Sequence, residues 1–214
     1  MDTQDRAGLL ERTLAGRVVA IVRLTSATGL IDVARALVDG GIQALEFTLT
    51  TPGALDAIAA CRARLGDRVV VGAGTVLDVA QARRCLDAGA QFLVSPGFDA
   101  EVIAAARDGG ALAMPGALTP TEIVAAWRAG ADVIKVFPAR AFGPTYISDV
   151  LAPLPHLPLM PTGGVDERNG ADYLRAGAVA IAAGGSLVDS AAVARADWST
   201  LTRRARALVD VTLG

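Results

Sequence analysis

The feature that most limits what this chain can fold into is a unit that keeps returning. A short, nearly all-apolar run of strand length is followed by a segment of helical periodicity, and glycine closes the pair. The phrase Ala-Gly-Ala stands at residues 88–90, 129–131 and 176–178, each time where a helical segment passes into the next apolar run. That placement marks a repeated supersecondary unit rather than a repeated sequence. Strands are predicted over 17–23, 44–49, 69–73, 91–95, 111–114, 132–137, 159–162 and 179–183. Helical periodicity runs through Ile31, Val33, Ala34, Leu37 and Val38 to Gly40-Gly41, and further helices are predicted over 78–88, 99–109 and 119–129 with glycine at Gly89, Gly109 and Gly130. Thr119-Pro-Thr-Glu122 reads as a capping box with proline at the first helical position.

Apolar strands without alternation suit a parallel sheet covered on both faces. Eight such units predict an α/β chain closed as a (β/α)₈ barrel, one domain over residues 1–214, with an extra amphipathic helix over 3–15 carrying Leu9, Leu10 and Leu14. An open doubly wound sheet is the alternative, but no Gly-x-Gly-x-x-Gly follows the first strand. Apolar residues make up 52% and aromatics only 4%, so the core is expected to be filled by Ala, Val, Leu and Ile.

Composition also narrows the function classes. The net charge of −2 and the absence of a basic run argue against a nucleic-acid partner. No apolar run reaches the roughly 18 residues that span a bilayer, and Met1-Asp-Thr-Gln-Asp-Arg6 lacks an apolar signal core, so no membrane partner and a cytoplasmic location are expected. Cys61 and Cys85 are too few for a disulfide framework and read as buried thiols. The single histidine, His156, lies between prolines in a connection, so no cluster exists to hold a catalytic metal and none is expected.

Of the 20 lysines and arginines, one is lysine, and it stands inside the apolar run Ala131-Asp-Val-Ile-Lys-Val-Phe-Pro138. Arginine does not replace an amine as a nucleophile. A compositional accident or a snorkelling lysine are the blander explanations. Strand parity decides where the side chain points: Val133, Lys135 and Phe137 share one face, while Ile134 and Val136 suit the helix layer. In the second strand Leu45, Phe47 and Leu49 suit the helix layer and turn Ala44, Glu46 and Thr48 inward. Arg23 lies on the face of Val19 and Ile21 at the carboxyl end of the first strand, where a barrel gathers its site and a guanidinium forks a carboxylate. A structural Lys–Glu pair is the competing explanation, although such pairs stabilise little beside an apolar isostere.

Thr162-Gly163-Gly164 follows the seventh strand and Gly184-Gly185-Ser186 the eighth. Those are the two loops where barrels most often bind phosphate through backbone N–H groups, so a phosphorylated substrate is expected.

The chain resembles the 2-keto-3-deoxy-6-phosphogluconate (KDPG) and 4-hydroxy-2-oxoglutarate (KHG) aldolases. The likeness is carried in order by Leu45-Glu-Phe-Thr-Leu49, Val71-Gly-Ala-Gly-Thr-Val76, Ser95-Pro-Gly97, Met114-Pro-Gly116, Thr119-Pro-Thr-Glu122, Ile134-Lys-Val-Phe-Pro-Ala139, Pro161-Thr-Gly-Gly-Val165 and Gly184-Gly-Ser186. It implies a class I, pyruvate-dependent carbon–carbon lyase of Entner-Doudoroff metabolism on a (β/α)₈ barrel, without a cofactor and typically a homotrimer. Lys135 would be the Schiff-base lysine and Glu46 the general acid/base. Arg23, Thr75, Pro96, Phe137 and Thr162 would line the keto-acid pocket, and Gly163, Gly164, Gly184, Gly185 and Ser186 would hold the distal phosphate.

One departure stands out. Many such aldolases carry an arginine four residues after the glutamate, where this chain has Thr50; Arg23 could supply that charge, as in relatives that include 2-keto-3-deoxy-6-phosphogalactonate aldolases. Phe142-Gly-Pro-Thr-Tyr-Ile147 also looks like the galactonate-type members, so the sugar configuration stays open. A sugar-phosphate isomerase or epimerase barrel would share the phosphate loops and the Lys/Glu pair but form no imine. A phosphate-ligand binding barrel would bind without turnover.

Overall fold

The structure, a computed structural model, describes residues 3–213; Met1, Asp2 and Gly214, which the N-terminal reading and the one-domain expectation over 1–214 include, lie outside the described residues. The chain runs α1 (Thr3–Leu14), β1 (Val18–Val22), α2 (Leu30–Asp39), β2 (Ala44–Thr48), α3 (Ala54–Leu65), β3 (Val70–Gly74), α4 (Val79–Asp87) and β4 (Phe92–Val94). It continues through α5 (Ala100–Asp108), β5 (Leu112–Met114), β6 (Gly116–Ala117), α6 (Pro120–Arg128), β7 (Ile134–Val136), α7 (Pro144–Leu151), β8 (Leu159–Pro161), α8 (Gly170–Arg175), β9 (Ile181–Ala183), α9 (Ser190–Ala194) and α10 (Trp198–Leu213). Strand and helix alternate as the periodicity predicts; β3 keeps the expected length one residue further on, and each of the other predicted strands is shorter than its apolar run at one or both ends.

Helices α4, α5, α6 and α9 begin where short polar side chains satisfy their first free N–H groups. Asp78 accepts from Gln81 N at 2.7 Å, Asp99 accepts from Glu101 N and Val102 N, and the predicted box at Thr119 and Glu122 forms with Pro120 opening α6. Most ends turn left-handed at glycine, with φ of 99° at Gly41, 91° at Gly89 and 93° at Gly130. The stop predicted at Gly109 falls one residue later. Gly109 keeps φ −79° and Gly110 takes φ 76°, because two consecutive glycines let the helix close one residue further on.

All strand pairs are parallel, in a six-stranded sheet ordered β5-β4-β3-β2-β1-β9 and a three-stranded sheet ordered β6-β7-β8. The fifth predicted strand is split. Pro115 has no N–H to continue a ladder, so β5 pairs with β4 on one side of it and β6 pairs with β7 on the other. Lys135 N donates to Pro115 O at 2.9 Å and Asp132 N to Ala113 O at 2.9 Å across that break. At the opposite margin Val179 N donates to Leu159 O at 3.0 Å, and Thr162 and Ala182 form a parallel bridge. The result is a curled parallel α/β arrangement.

The curl separates two cores. Val18, Ala20, Val22, Leu45, Phe47, Ile134 and Val136 pack under the helices, whereas Val19, Ile21, Ala44, Phe92, Met114, Val133 and Met160 form a second apolar cluster on the enclosed face. This is the alternation that strand parity predicts. Leu9 of α1 joins the enclosed cluster at the amino-terminal ends of the strands. Arg6 pins the helix there: its Nε donates to Asp132 Oδ1 at 3.0 Å and its Nη1 to Ala111 O at 2.9 Å, while Asp132 Oδ2 accepts from Ala113 N at 2.7 Å. That end is therefore filled, and the polar residues collect at the other.

Candidate active site

Lys135 and Glu46 both lie on the enclosed face, as parity requires, and both are buried, Lys135 at 3% exposure and Glu46 at 0%. The carboxyl of Glu46 occupies space that only a glycine leaves free. A Cβ on Gly74, in the neighbouring strand, would stand 2.5 Å from Glu46 Cδ and 2.7 Å from its Cγ, and closer still to Oε1. Neither Glu46 oxygen has a hydrogen-bond partner among the described residues. A buried acceptor left without a donor is costly and therefore rare, which marks a site held ready for something other than packing.

Lys135 Nζ lies 5.0 Å from the centroid of the Phe137 ring, within range of a cation–π contact. No ion pair within 4 Å joins it to Glu46. Burial pushes the Glu46 carboxyl up from its ordinary 4.5, against the charges of Lys135 and then Arg23, which pull it down. Burial pushes the Lys135 ammonium down from 10.5, Glu46 opposing and Arg23 reinforcing. Desolvation prevails at both, so the amine moves toward the neutral, nucleophilic form and the carboxyl toward the form that can give a proton.

A cavity of about 410 Å³ opens above the lysine. Its lining includes Arg23, Lys135, Phe137, Thr162, Gly163, Gly164, Gly184, Gly185 and Ser186, so nine expected site residues from four strand ends converge on one space. Gly163 and Gly164 hold φ of 94° and 83°, a backbone that side chains resist. The N–H groups of Gly164, Gly185 and Ser186 donate to no acceptor among the described residues, which leaves free backbone donors on loops that line the cavity. Ser186 Oγ donates to Val165 O at 2.8 Å, which ties the two glycine loops together.

Three expected site residues do not line this cavity. Glu46 sits fully buried. Thr75 follows β3 with φ 60°, an unusual conformation for a branched side chain, and Pro96 is exposed after β4 with its carbonyl packed on Gly116. Thr50, which stands where an arginine was expected, is exposed, with its hydroxyl 3.0 Å from that of Thr48. Thr48 and Thr51 are buried and their hydroxyls lie 3.1 Å apart; Thr51 Oγ1 accepts from Leu24 N at 3.1 Å, next to Arg23. The hydroxyls thus brace the strand end that carries the remaining guanidinium.

Arg140 lines the same cavity and was not singled out from the sequence, together with Ile21 and Val165. Its one legible signal was position, two residues past the proline that ends the lysine strand. Among the described residues no group of His, Cys, Asp and Glu is arranged to hold a metal ion, and no helix is long and apolar enough to cross a membrane. His156 is exposed, edge-on to Trp127 with ring centroids 5.8 Å apart. Cys61 and Cys85 are buried, and burial raises both thiols to about 11.

Residues 10–204 match the family model for KDPG and KHG aldolase. A 2-dehydro-3-deoxy-phosphogluconate aldolase of Treponema pallidum is 40% identical over 187 residues, 87% of this chain and 89% of the relative. Among solved structures, a native KDPGal structure superposes with TM-score 0.86 at 32% identity, covering 91% of this chain and 93% of the other. A KDPG aldolase from Legionella pneumophila, with pyruvate captured at low pH as a covalent carbinolamine intermediate, superposes with TM-score 0.81 at 27% identity over 95% and 97%.

Proposed function

The chain belongs to the KDPG and KHG aldolase family, and on that premise we propose how its residues carry the reaction. It is a class I aldolase, a carbon–carbon lyase that reversibly cleaves 2-keto-3-deoxy-6-phosphogluconate, 4-hydroxy-2-oxoglutarate or both. The products are pyruvate with glyceraldehyde 3-phosphate or glyoxylate. The observation that supports the residue assignment is the buried, nucleophile-poised amine of Lys135 beside the unpartnered carboxyl of Glu46.

In this reading the neutral amine of Lys135 attacks the C2 ketone and gives a carbinolamine. Glu46 donates the proton with which hydroxide departs as water, leaving an iminium. Glu46, now a carboxylate, takes the C4 hydroxyl proton through a water. The C4–O bond becomes the aldehyde carbonyl, the C3–C4 bond breaks, and its electron pair flows into the iminium to form an enamine. Protonation at C3 and hydrolysis release pyruvate and restore the amine. Arg23 forks the substrate carboxylate, Thr75, Pro96, Phe137 and Thr162 shape the keto-acid pocket, and Gly163, Gly164, Gly184, Gly185 and Ser186 receive the distal phosphate. No cofactor enters these steps.

The same reading takes the two sheets as one closed (β/α)₈ barrel over residues 1–214, supported by the hydrogen bonds at both margins. It takes the working form as a cytoplasmic homotrimer. A second specificity, for the phosphogalactonate substrate, is favoured by the combination of Thr50 with Arg23 in the cavity.

Borohydride reduction with pyruvate tests the assignment. It should fix a permanent adduct on Lys135 and on no Lys135→Arg protein. Activity retained in Lys135→Arg, or a wild-type protein that stays unlabelled, sinks it. Pyruvate release measured from the gluconate, galactonate and oxoglutarate substrates separates the specificities.

A further inference from the structure

The cavity holds one charged side chain that neither the keto-acid pocket nor the glycine loops account for. Arg23 and Arg140 are the two arginines that line it, and neither side chain makes an ion pair or hydrogen bond among the described residues. Arg23 stands at the end of β1, close enough for its charge to act on both Glu46 and Lys135. Arg140 is held differently. It lies in a single turn of 3₁₀ helix over Ala139–Ala141, directly after the lysine strand, and that turn is fastened to the glycine loop. Ala139 N donates to Thr162 O at 2.8 Å and Arg140 N donates to Gly163 O at 3.0 Å.

The contact is close enough to restrict the partner residue. A Cβ on Gly164 would come within 2.8 Å of Arg140 Cβ, so the glycine that frees a backbone N–H also lets the arginine stem lie against the loop. One guanidinium therefore stands at the carbonyl-reactive end of the cavity and the other beside Gly163 and Gly164. Among the described residues the second cation has no carboxylate to answer it. A planar fork of N–H donors beside free backbone N–H groups suits a tetrahedral dianion better than a carboxylate, because each added donor meets a further oxygen.

We infer that Arg140 is a specificity-determining residue, which by binding the terminal phosphate directs the enzyme toward phosphorylated six-carbon keto acids and away from the shorter 4-hydroxy-2-oxoglutarate. The inference rests on the aldolase reading. It adds that the choice between its two substrate classes lies in a side chain outside the glycine loops. The unphosphorylated substrate ends in a carboxylate at C5, one carbon short of the phosphorylated C6, and presents no tetrahedral dianion to Arg140.

The test compares kcat/KM for the two substrates in wild type, Arg140→Ala and Arg140→Lys. A lost charge-assisted contact predicts that the ratio for phosphorylated over unphosphorylated substrate falls about 10- to 100-fold in Arg140→Ala. Arg140→Lys, which keeps the charge without the fork, should recover part of it. Inhibition by inorganic phosphate should weaken in the same order, a readout that does not depend on measurable oxoglutarate turnover. An equal fall for both substrates, or an unchanged ratio and unchanged phosphate inhibition, overturns the inference. Pyruvate trapping on Lys135 in the wild type separates the two levels: without an adduct the aldolase assignment fails, whereas an adduct with an unmoved ratio removes only Arg140.

Discussion

Substituting Gly74 with alanine isolates the placement of Glu46 from its chemistry. Gly74 ends β3 opposite Thr48, and its φ lies outside the left-handed region, so the strand itself accepts a side chain. The space does not. The new Cβ would stand 2.5 Å from Glu46 Cδ, where carbon atoms rest at about 3.5 Å, so the carboxyl must move by roughly 1 Å. A misplacement of about 1 Å costs on the order of 100-fold in rate when the group acts in the transition state. Overpacking by one methyl costs about 1–3 kcal/mol, a fall of roughly 2–10 °C in Tm for a chain of this size. Expected, then, is a turnover about 100-fold lower with borohydride trapping of pyruvate on Lys135 still complete. Gly72→Ala is the control: although Gly72 stands opposite Glu46 in the ladder, the nearest atoms to its added Cβ belong to the Phe92 ring, 2.5 Å from Cγ, rather than to the Glu46 carboxyl. It should lose comparable stability and much less turnover. Gly74→Ala turnover within threefold of wild type, or equal losses in the two variants, would refute the steric argument.

Other outcomes follow from the same geometry. Glu46→Gln should lower turnover strongly while an imine still forms; removing the carboxylate charge that raises the Lys135 pKa should also move the pH dependence of trapping to lower pH, and an unmoved profile would count against the pairing. Because burial raises the Glu46 pKa, folding stability is lost as pH climbs above 4.5 toward the raised value. The Tm of Glu46→Gln relative to wild type should therefore grow with pH across that window, and a flat difference would contradict it. Arg23→Ala should raise the KM for keto acid and, by removing a like charge, shift Lys135 trapping to higher pH; an unchanged KM assigns the carboxylate elsewhere. Arg6→Ala leaves Asp132 without its cation at the closed end and should cost about 3 kcal/mol in thermal unfolding, with KM unaffected.

Much of the site was legible because it depends on local rules. Side-chain direction along a strand repeats every two residues, so Ile134 and Val136 on the helix side force Lys135 to the enclosed face, and Leu45 and Phe47 do the same for Glu46. The helix cap at Thr119 was equally local, since its side chain bonds an N–H three residues ahead; Asp78 and Asp99, read only as helix starts, cap in the same local way. Reading failed where a second segment intervened. The fifth strand looked continuous, yet Pro115 hands its two halves to different neighbours. Arg140 gave no signal beyond its position after the lysine strand, because its meaning comes from a loop over twenty residues later.

The sequence by itself determined the alternation of strand and helix, the parallel sheet that such alternation implies, and the inward direction of one amine and one carboxyl. Periodicity fixes these through backbone geometry that each segment carries alone. Only the tertiary structure decided that Gly74 makes the room Glu46 occupies, that Thr48 and Thr51 brace the strand end bearing Arg23, and that Arg140 rests against Gly164. These are matters of register and close approach between segments far apart in the chain. Such distances are set by the packing of the whole curl, and no local pattern encodes them.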